Sequence, residues 1–138
     1  DFNLKFEVNV PKNGNSGVYL RGIYEIQMAD SFGRPLDSHN MGGLYSRITP
    51  LVSAEKPAGE WQTVDITLVD RHVTVILNGK ILIDNQPVLA AGRAAVCTHA
   101  CGPRFRDAAM EFRLFNPQDG TARFQSDSAF VPDHPWLQ

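Results

Sequence analysis

The fold is decided by residues 15–30, which read NSGVYLRGIYEIQMAD. Apolar residues and one glycine recur here at every second position between Val18 and Met28, and mostly polar side chains stand between them. An alternation with a period of two is typical of a β-strand that turns one face to a core and the other to polar surroundings. The sequence therefore predicts one long strand over residues 17–29. Its polar face would carry a row formed by Tyr19, Arg21, Glu25 and Gln27.

The side chains of this row suit a polar ligand, because an aromatic ring can stack while charged and amide groups hydrogen-bond to hydroxyls. On one strand Glu25 and Gln27 would stand about 6.6 Å apart, so one sugar ring could touch both. Arg21 and Glu25 would stand roughly 13 Å apart, too far to pair directly. Each then needs a partner on a neighbouring strand, in solvent or in a bound molecule. An ordinary cross-strand ion pair is the structural alternative.

The rest of the first 88 residues also has the pattern of strands. Apolar residues alternate over residues 2–10 and again from residue 61 to residue 68. The pair Asn78-Gly79 is a strong hairpin signal, since a type I′ turn needs two residues that tolerate positive φ. No helical period appears before residue 88, and this predicts an all-β sandwich of antiparallel strands.

Beyond residue 88 the pattern is lost, apart from a short strand expected near residues 110–115. We therefore expect a single domain over residues 1–138, made of a regular part, residues 1–88, and a divergent C-terminal segment, residues 89–138.

Composition excludes several classes of function. The chain has 138 residues and a formal net charge of −2, without a cluster of Lys and Arg, which argues against nucleic acid as a partner. Its apolar runs are too short for a membrane span, and no signal peptide is present. Cys97 and Cys101 flank His99 at a spacing that is unusual for zinc, so a small-loop disulfide and two free thiols both stay open.

Several short motifs follow one another in order along the first part of the chain. They are residues 15–22 (NSGVYLRG), 24–27 (YEIQ), 43–45 (GLY), 56–61 (KPAGEW) and 77–79 (LNG). Over residues 1–88 this series resembles the DUF1080 family, also called the 3-keto-disaccharide hydrolase domain. The resemblance implies a concanavalin A-like jelly roll, here incomplete at its N-terminus, and a carbohydrate partner. It also implies a bacterial protein exported to the periplasm or beyond, which cleaves glycosides whose sugar carries a ketone at C3.

The C-terminal third departs from the family pattern. Gly102-Pro103 and residues 112–115 follow it faintly, and the family's Leu-Gln…His segment is absent. Two alternatives therefore stand beside the enzyme: a lectin-like carbohydrate-binding module without turnover, and an incomplete, inactive domain.

The chemistry of a 3-keto sugar requires few groups. The ketone acidifies the hydrogen at C2, so one base can remove it while a cation or a hydrogen-bond donor stabilises the enolate. Glu25 is the candidate base, or a ligand for a divalent cation, and Arg21 is the candidate for steadying the negative charge. The candidates for substrate binding are Asn15, Tyr19, Gln27, Tyr45 and His39.

Ordinary glycoside hydrolysis is a weaker hypothesis, because it needs two carboxylates that face one bond. Asp30 would be the second carboxylate, but the parity of the predicted strand directs it to the core face.

Overall fold

The computed structural model describes residues 1–21 and 24–88, together with the backbone of two further strands, residues 111–115 and 122–126. All the regular structure in this part of the chain is β. The strands are β1 (Phe2–Asn9), β2 (Asn15–Leu20), β3 (Tyr24–Ala29), β4 (Trp61–Val69), β5 (His72–Leu77), β6 (Lys80–Pro87), β7 (Glu111–Phe115) and β8 (Ala122–Ser126). In the described part, no helix long and apolar enough to cross a bilayer is found.

The strands form two antiparallel sheets. Six of them pair in the order β6-β5-β4-β1-β7-β8, and β2 pairs with β3 in a second sheet. The predicted strand near residues 110–115 is present as β7 and extends the larger sheet beyond β1. The cysteines at positions 97 and 101 lie outside the described residues.

The core lies between the two sheets and follows from the alternation in the sequence. Every second side chain of β4 and β5, and of the second half of β1, is buried, as Ile66, Val75 and Val8 illustrate with no exposed surface. Ile26 and Met28 of β3 are equally buried and belong to the same apolar cluster. At about 25 cal/mol per Å² of apolar surface, this cluster is the main stabilising term of the fold. The all-β sandwich predicted from the sequence is confirmed.

The prediction of one long strand over residues 17–29 is wrong, because the segment is a hairpin. β2 ends at Leu20, and Arg21 leaves the extended conformation with a φ of 52°. β3 then returns beside β2, with Leu20 opposite Tyr24 and Tyr19 opposite Glu25. Partners in this register are both even or both odd in number, and cross-strand partners point to the same side. The residues predicted for the core face and for the polar face therefore keep those faces, although they lie on two strands and not on one.

The second edge of β3 is occupied by residues 42–45. Gly42 N–H donates to Gln27 O (2.8 Å), Gln27 N–H donates to Gly43 O (2.9 Å), and Tyr45 N–H donates to Glu25 O (2.9 Å). Leu44 forms two isolated antiparallel bridges here, one to Ile26 of β3 and one to Ile48. The segment thus continues the smaller sheet.

Two loops around this segment are joined by a buried carboxylate. Ser31 Oγ donates to Glu55 Oε1 (2.9 Å) and accepts from Met41 N–H (2.9 Å). Glu55 Oε2 accepts from Ala54 N–H at 3.0 Å. Both Ser31 and Glu55 are buried. Since buried polar groups require partners, these bonds tie the loops on either side of residues 42–45 together.

The turn at Asn78-Gly79 is confirmed, with φ values of 50° and 79°. The side chain of Asn78 also forms hydrogen bonds with residues outside the turn. Its Oδ1 accepts from Thr63 N–H (2.9 Å), and its Nδ2 donates to Ala54 O (2.8 Å) and to Gln62 Oε1 (2.7 Å). Asn78 therefore fastens the loop before β4 to the β5–β6 turn.

Replacing Asn78 by Gly should lower the free energy of unfolding by about 1–3 kcal/mol. Glycine keeps the positive φ of the turn but removes the three hydrogen bonds of the amide. Urea unfolding of the variant and the parent chain measures the difference. Asn85→Gly is the matched control, since Asn85 also has a positive φ (44°) but bonds to Thr74 through its backbone N–H. Equal effects of the two changes would contradict the assigned role.

Candidate functional site

The candidate site lies on the face of the β2–β3 hairpin that points away from the core. The hairpin register sets its residues side by side: Asn15 opposite Ala29, Gly17 opposite Gln27, and Tyr19 opposite Glu25. Because alternate residues of a strand share a face, all six belong to one surface.

The carboxyl group of Glu25 lies over Gly17. A Cβ atom at Gly17 would stand 2.7 Å from Cδ of Glu25 and closer still to Cγ and Oε1. An added side chain at position 17 would therefore displace the Glu25 carboxyl group from this position. On the other side, Tyr19 OH donates a hydrogen bond to Glu25 Oε2 at 3.0 Å. The carboxylate thus has a defined position, directed along the hairpin toward the pair Gly17–Gln27.

Burial raises the pKa of Glu25 above its ordinary value of 4.5, and the hydrogen bond from Tyr19 lowers it by a smaller amount. Desolvation disfavours the charged form of a carboxyl group, whereas a donor favours it. A carboxylate with a raised pKa is a stronger base, which is what proton abstraction near neutral pH requires.

A pocket of about 240 Å³ opens on the same face of the hairpin, next to the pair Gly17–Gln27 over which this carboxylate lies, although Glu25 itself does not line it. Polar side chains and backbone form most of its wall. Its lining residues are Asn13, Gly14, Asn15, Gln27, Ala29, Asp30, Arg34, His39 and Tyr45. The first six come from the open end of the hairpin, and the last three come from the segment after β3.

Gln27 has an unsatisfied acceptor in this pocket. Its side chain is 3% exposed, and its Nε2 donates to Asn15 Oδ1 at 2.9 Å. Its Oε1 is buried and has no hydrogen-bond partner among the described residues. An unpaired buried acceptor costs about 1–3 kcal/mol, so Gln27 is prepared to accept a hydrogen bond from a ligand.

The opposite rim of the pocket is formed by an aromatic pair. The rings of His39 and Tyr45 pack edge to face with centroids 4.8 Å apart. His39 Nε2 lies 3.0 Å from Ser46 Oγ, and His39 Nδ1 lies 3.3 Å from Asp37 Oδ1. Both ring nitrogens are therefore engaged.

Four predicted residues, Asn15, Gln27, His39 and Tyr45, meet at this pocket, while Glu25 and Tyr19 stand next to it. Their chemical roles remain predictions.

Arg21 is placed differently from the prediction. The hairpin turn takes it out of the row, its Nη2 lies 3.3 Å from Asp1 Oδ1, and it is not among the lining residues of the pocket. The predicted alignment of Arg21 with Glu25 and Gln27 on one strand is therefore wrong.

Sequence reasoning missed five residues of the pocket, of which three have polar side chains: Asn13, Asp30 and Arg34. Asp30 was expected on the core face, but β3 ends at Ala29, so the parity of the strand no longer applies to it. Its Oδ2 instead accepts from Asn13 N–H at 2.9 Å. The turn residues 11–15 could have indicated Asn13 and Asp30, because this turn places the start of β2 beside the end of β3. No signal in the sequence indicates Arg34.

A divalent cation was left open by the sequence. Within residues 1–21 and 24–88, no group of three or more His, Cys, Asp or Glu side chains is arranged to hold a metal ion.

Replacing Gly17 by Ala should lower the pKa of Glu25 toward 4.5, because the new methyl group displaces the carboxyl toward solvent. Titration followed by carbon NMR of the carboxyl group measures it. Ser16→Ala is the matched control, since it alters the neighbouring position on the other face of β2. An unchanged pKa in the Gly17 variant would contradict the close packing.

Glu25→Gln should stabilise the chain at pH 7 more than at pH 4. A folded-state pKa above 4.5 means that ionising Glu25 costs stability as the pH rises through that value, whereas below 4.5 the cost is absent. Thermal unfolding of the variant and the parent chain at both pH values tests this. Glu60→Gln, at an exposed position, serves as the control. The same shift in Tm at both pH values would overturn the prediction.

Comparison with solved structures finds proteins of similar fold. A candidate glycosyl hydrolase from Parabacteroides distasonis ATCC 8503 is 30% identical, with a TM-score of 0.55 over 80% of this chain and 54% of its own. A second from the same organism is 26% identical, with a TM-score of 0.50 over 58% of this chain and 48% of its own.

A third structure from that organism, 23% identical with a TM-score of 0.51, covers 59% of this chain and 48% of its own and shows the fold alone. The chain spans about half the length of these proteins. No curated protein matches it.

The family match is longer than the sequence motifs indicate, since it continues beyond residue 88 and includes β7 and β8. With residues 1–131 matched, the chain belongs to the family of 3-keto-alpha-glucoside-1,2-lyase-like domains.

Proposed function

We propose that this domain cleaves 3-keto-glycosides, including 3-keto-disaccharides, by eliminating the substituent at C1, with Glu25 as the base. One observation carries the proposal: a half-buried carboxylate with a raised pKa stands beside a polar pocket whose buried acceptor, Gln27 Oε1, has no partner among the described residues. The membership of the chain in its family supports the choice of substrate class.

The reaction needs one base at its first step. Glu25 takes the proton from C2, and the electron pair of that C–H bond enters the enolate formed with the C3 ketone. The pair then forms the C1–C2 double bond as the bond from C1 to the glycosidic oxygen breaks. The products are an unsaturated 3-keto sugar and an alcohol, and addition of water to the former completes the cleavage. Because the ketone activates C2, the second carboxylate of ordinary glycosidases is dispensable.

The pocket residues then bind the sugar. Gln27 Oε1 accepts from one hydroxyl, and Asn15, which already contacts the Gln27 amide, bonds to a second. Tyr45 offers its ring to the apolar face of the sugar. Since Arg34 lines the pocket and Arg21 does not, we assign the stabilisation of the enolate to Arg34.

A lectin-like binding module is the second candidate. The position of Arg21, paired with Asp1 rather than aligned with Glu25, favours it, because binding requires no cation beside the carboxylate. The two functions differ in what they recognise. A binding module takes a plain disaccharide as tightly as its 3-keto form, whereas the elimination needs the ketone.

The test is release of sugar from a 3-keto-disaccharide by the full chain. Glu25→Gln should reduce kcat/KM by about 10²–10⁴-fold, since the amide cannot accept the C2 proton. Glu60→Gln should leave the rate unchanged. A parallel assay with a chelator shows whether a divalent cation takes part. Turnover retained in the Glu25 variant would remove Glu25 from the mechanism. A folded parent chain that binds both sugar forms equally, without release, would establish the binding module instead.

A further inference from the structure

Three side chains in the segment after β3 form a connected series, and one of them, His39, lines the pocket. Asp37 Oδ1 lies 3.3 Å from His39 Nδ1, and His39 Nε2 lies 3.0 Å from Ser46 Oγ. Asp37 and Ser46 are nine residues apart in sequence, and the ring of His39 joins them. In such a series the carboxylate orients the imidazole, and the imidazole can exchange a proton with the hydroxyl.

The backbone and the packing hold this series in place. Asp37 Oδ1 also accepts from the backbone N–H of His39 (2.6 Å), which fixes the turn between them. The ring of His39 rests edge to face on Tyr45, 4.8 Å between centroids. Ser46 has a φ of 56°, a left-handed conformation that a residue with a side chain adopts at a cost. The series therefore has defined geometry next to the lining residue Tyr45.

The direction of proton transfer follows from the hydrogen bonds. When the imidazole is protonated, Nδ1 faces the Asp37 carboxylate at ion-pair distance and Nε2–H donates to Ser46 Oγ. The hydroxyl hydrogen of Ser46 is then free to point at a ligand. A ligand oxygen that gains basicity can take that hydrogen while Ser46 takes the proton from Nε2. His39 becomes neutral, and its half-exposed ring can be reprotonated from water.

We propose that His39, through Ser46, protonates the leaving glycosidic oxygen, so that acid and base act from different sides of the pocket. The inference rests on the proposed function. Glu25 on β3 takes the C2 proton, the electron pair passes through the enolate, and the C1–O bond breaks. The departing oxygen receives the Ser46 proton, which His39 replaces. The aglycone leaves as a neutral alcohol, and one proton is returned from Glu25 to solvent.

An acid that serves the leaving group is revealed by comparing leaving groups. An alkoxide is a strong base and needs protonation, whereas nitrophenolate departs without it. His39→Gln should reduce kcat/KM for methyl 3-keto-α-glucoside by about 10²–10⁴-fold, and for 4-nitrophenyl 3-keto-α-glucoside by less than about tenfold. Ser46→Gly removes the hydroxyl while it suits the positive φ, and it should show the same selectivity.

His72→Gln is the matched control, since His72 is an exposed residue at the start of β5. Its rates should equal those of the parent chain on both substrates. Equal losses on the two substrates in the His39 variant would assign His39 to binding and overturn the inference, and so would no loss on either. Failure of the proposed function has a different signature: the folded parent chain would release neither methanol nor nitrophenol.

Discussion

The site depends on the pairing of β3 along both of its edges. β2 occupies one edge, and residues 42–45 occupy the other through three backbone hydrogen bonds of 2.8–2.9 Å. This double pairing brings His39 and Tyr45 to the rim of the surface that carries Glu25 and Gln27. The apolar face of β3 anchors the arrangement, since Ile26 and Met28 are fully buried in the core. Residues 42–45 also contribute the lining residue Tyr45 to the pocket.

The sequence predicts the faces of the hairpin but not the hairpin itself, and the reason is geometric. In the register that sets Leu20 opposite Tyr24, both strands keep the same odd and even positions on the same faces. A single extended strand and this hairpin therefore produce the same alternation. Periodicity cannot separate them, and only the turn at Arg21 does so. Residues whose position depends on parity alone were predicted correctly, while Arg21 was not.

The loop residues of the site are harder to predict for a second reason. Asp30 and Arg34 follow the end of β3, where no repeat governs the direction of the side chain. Their place is set by contacts between distant segments, such as the hydrogen bonds of Ser31 with Glu55 and Met41. His39 could be predicted from the sequence because a polar loop that follows a strand can reach the rim of a site on that strand. Its partners Asp37 and Ser46 were not, since they meet only when the loop folds back on β3.

The contact between Gly17 and Glu25 has a consequence for how such domains vary. The space above position 17 is filled by the side chain at position 25, so the two positions share one fixed volume. A relative with a larger residue at the first position must either displace the side chain at the second or carry a shorter one there, and an aspartate would no longer reach the same point. Positions 17 and 25 should therefore co-vary in size across homologous sequences. Glycine at position 17 would then mark the relatives that keep a glutamate at position 25.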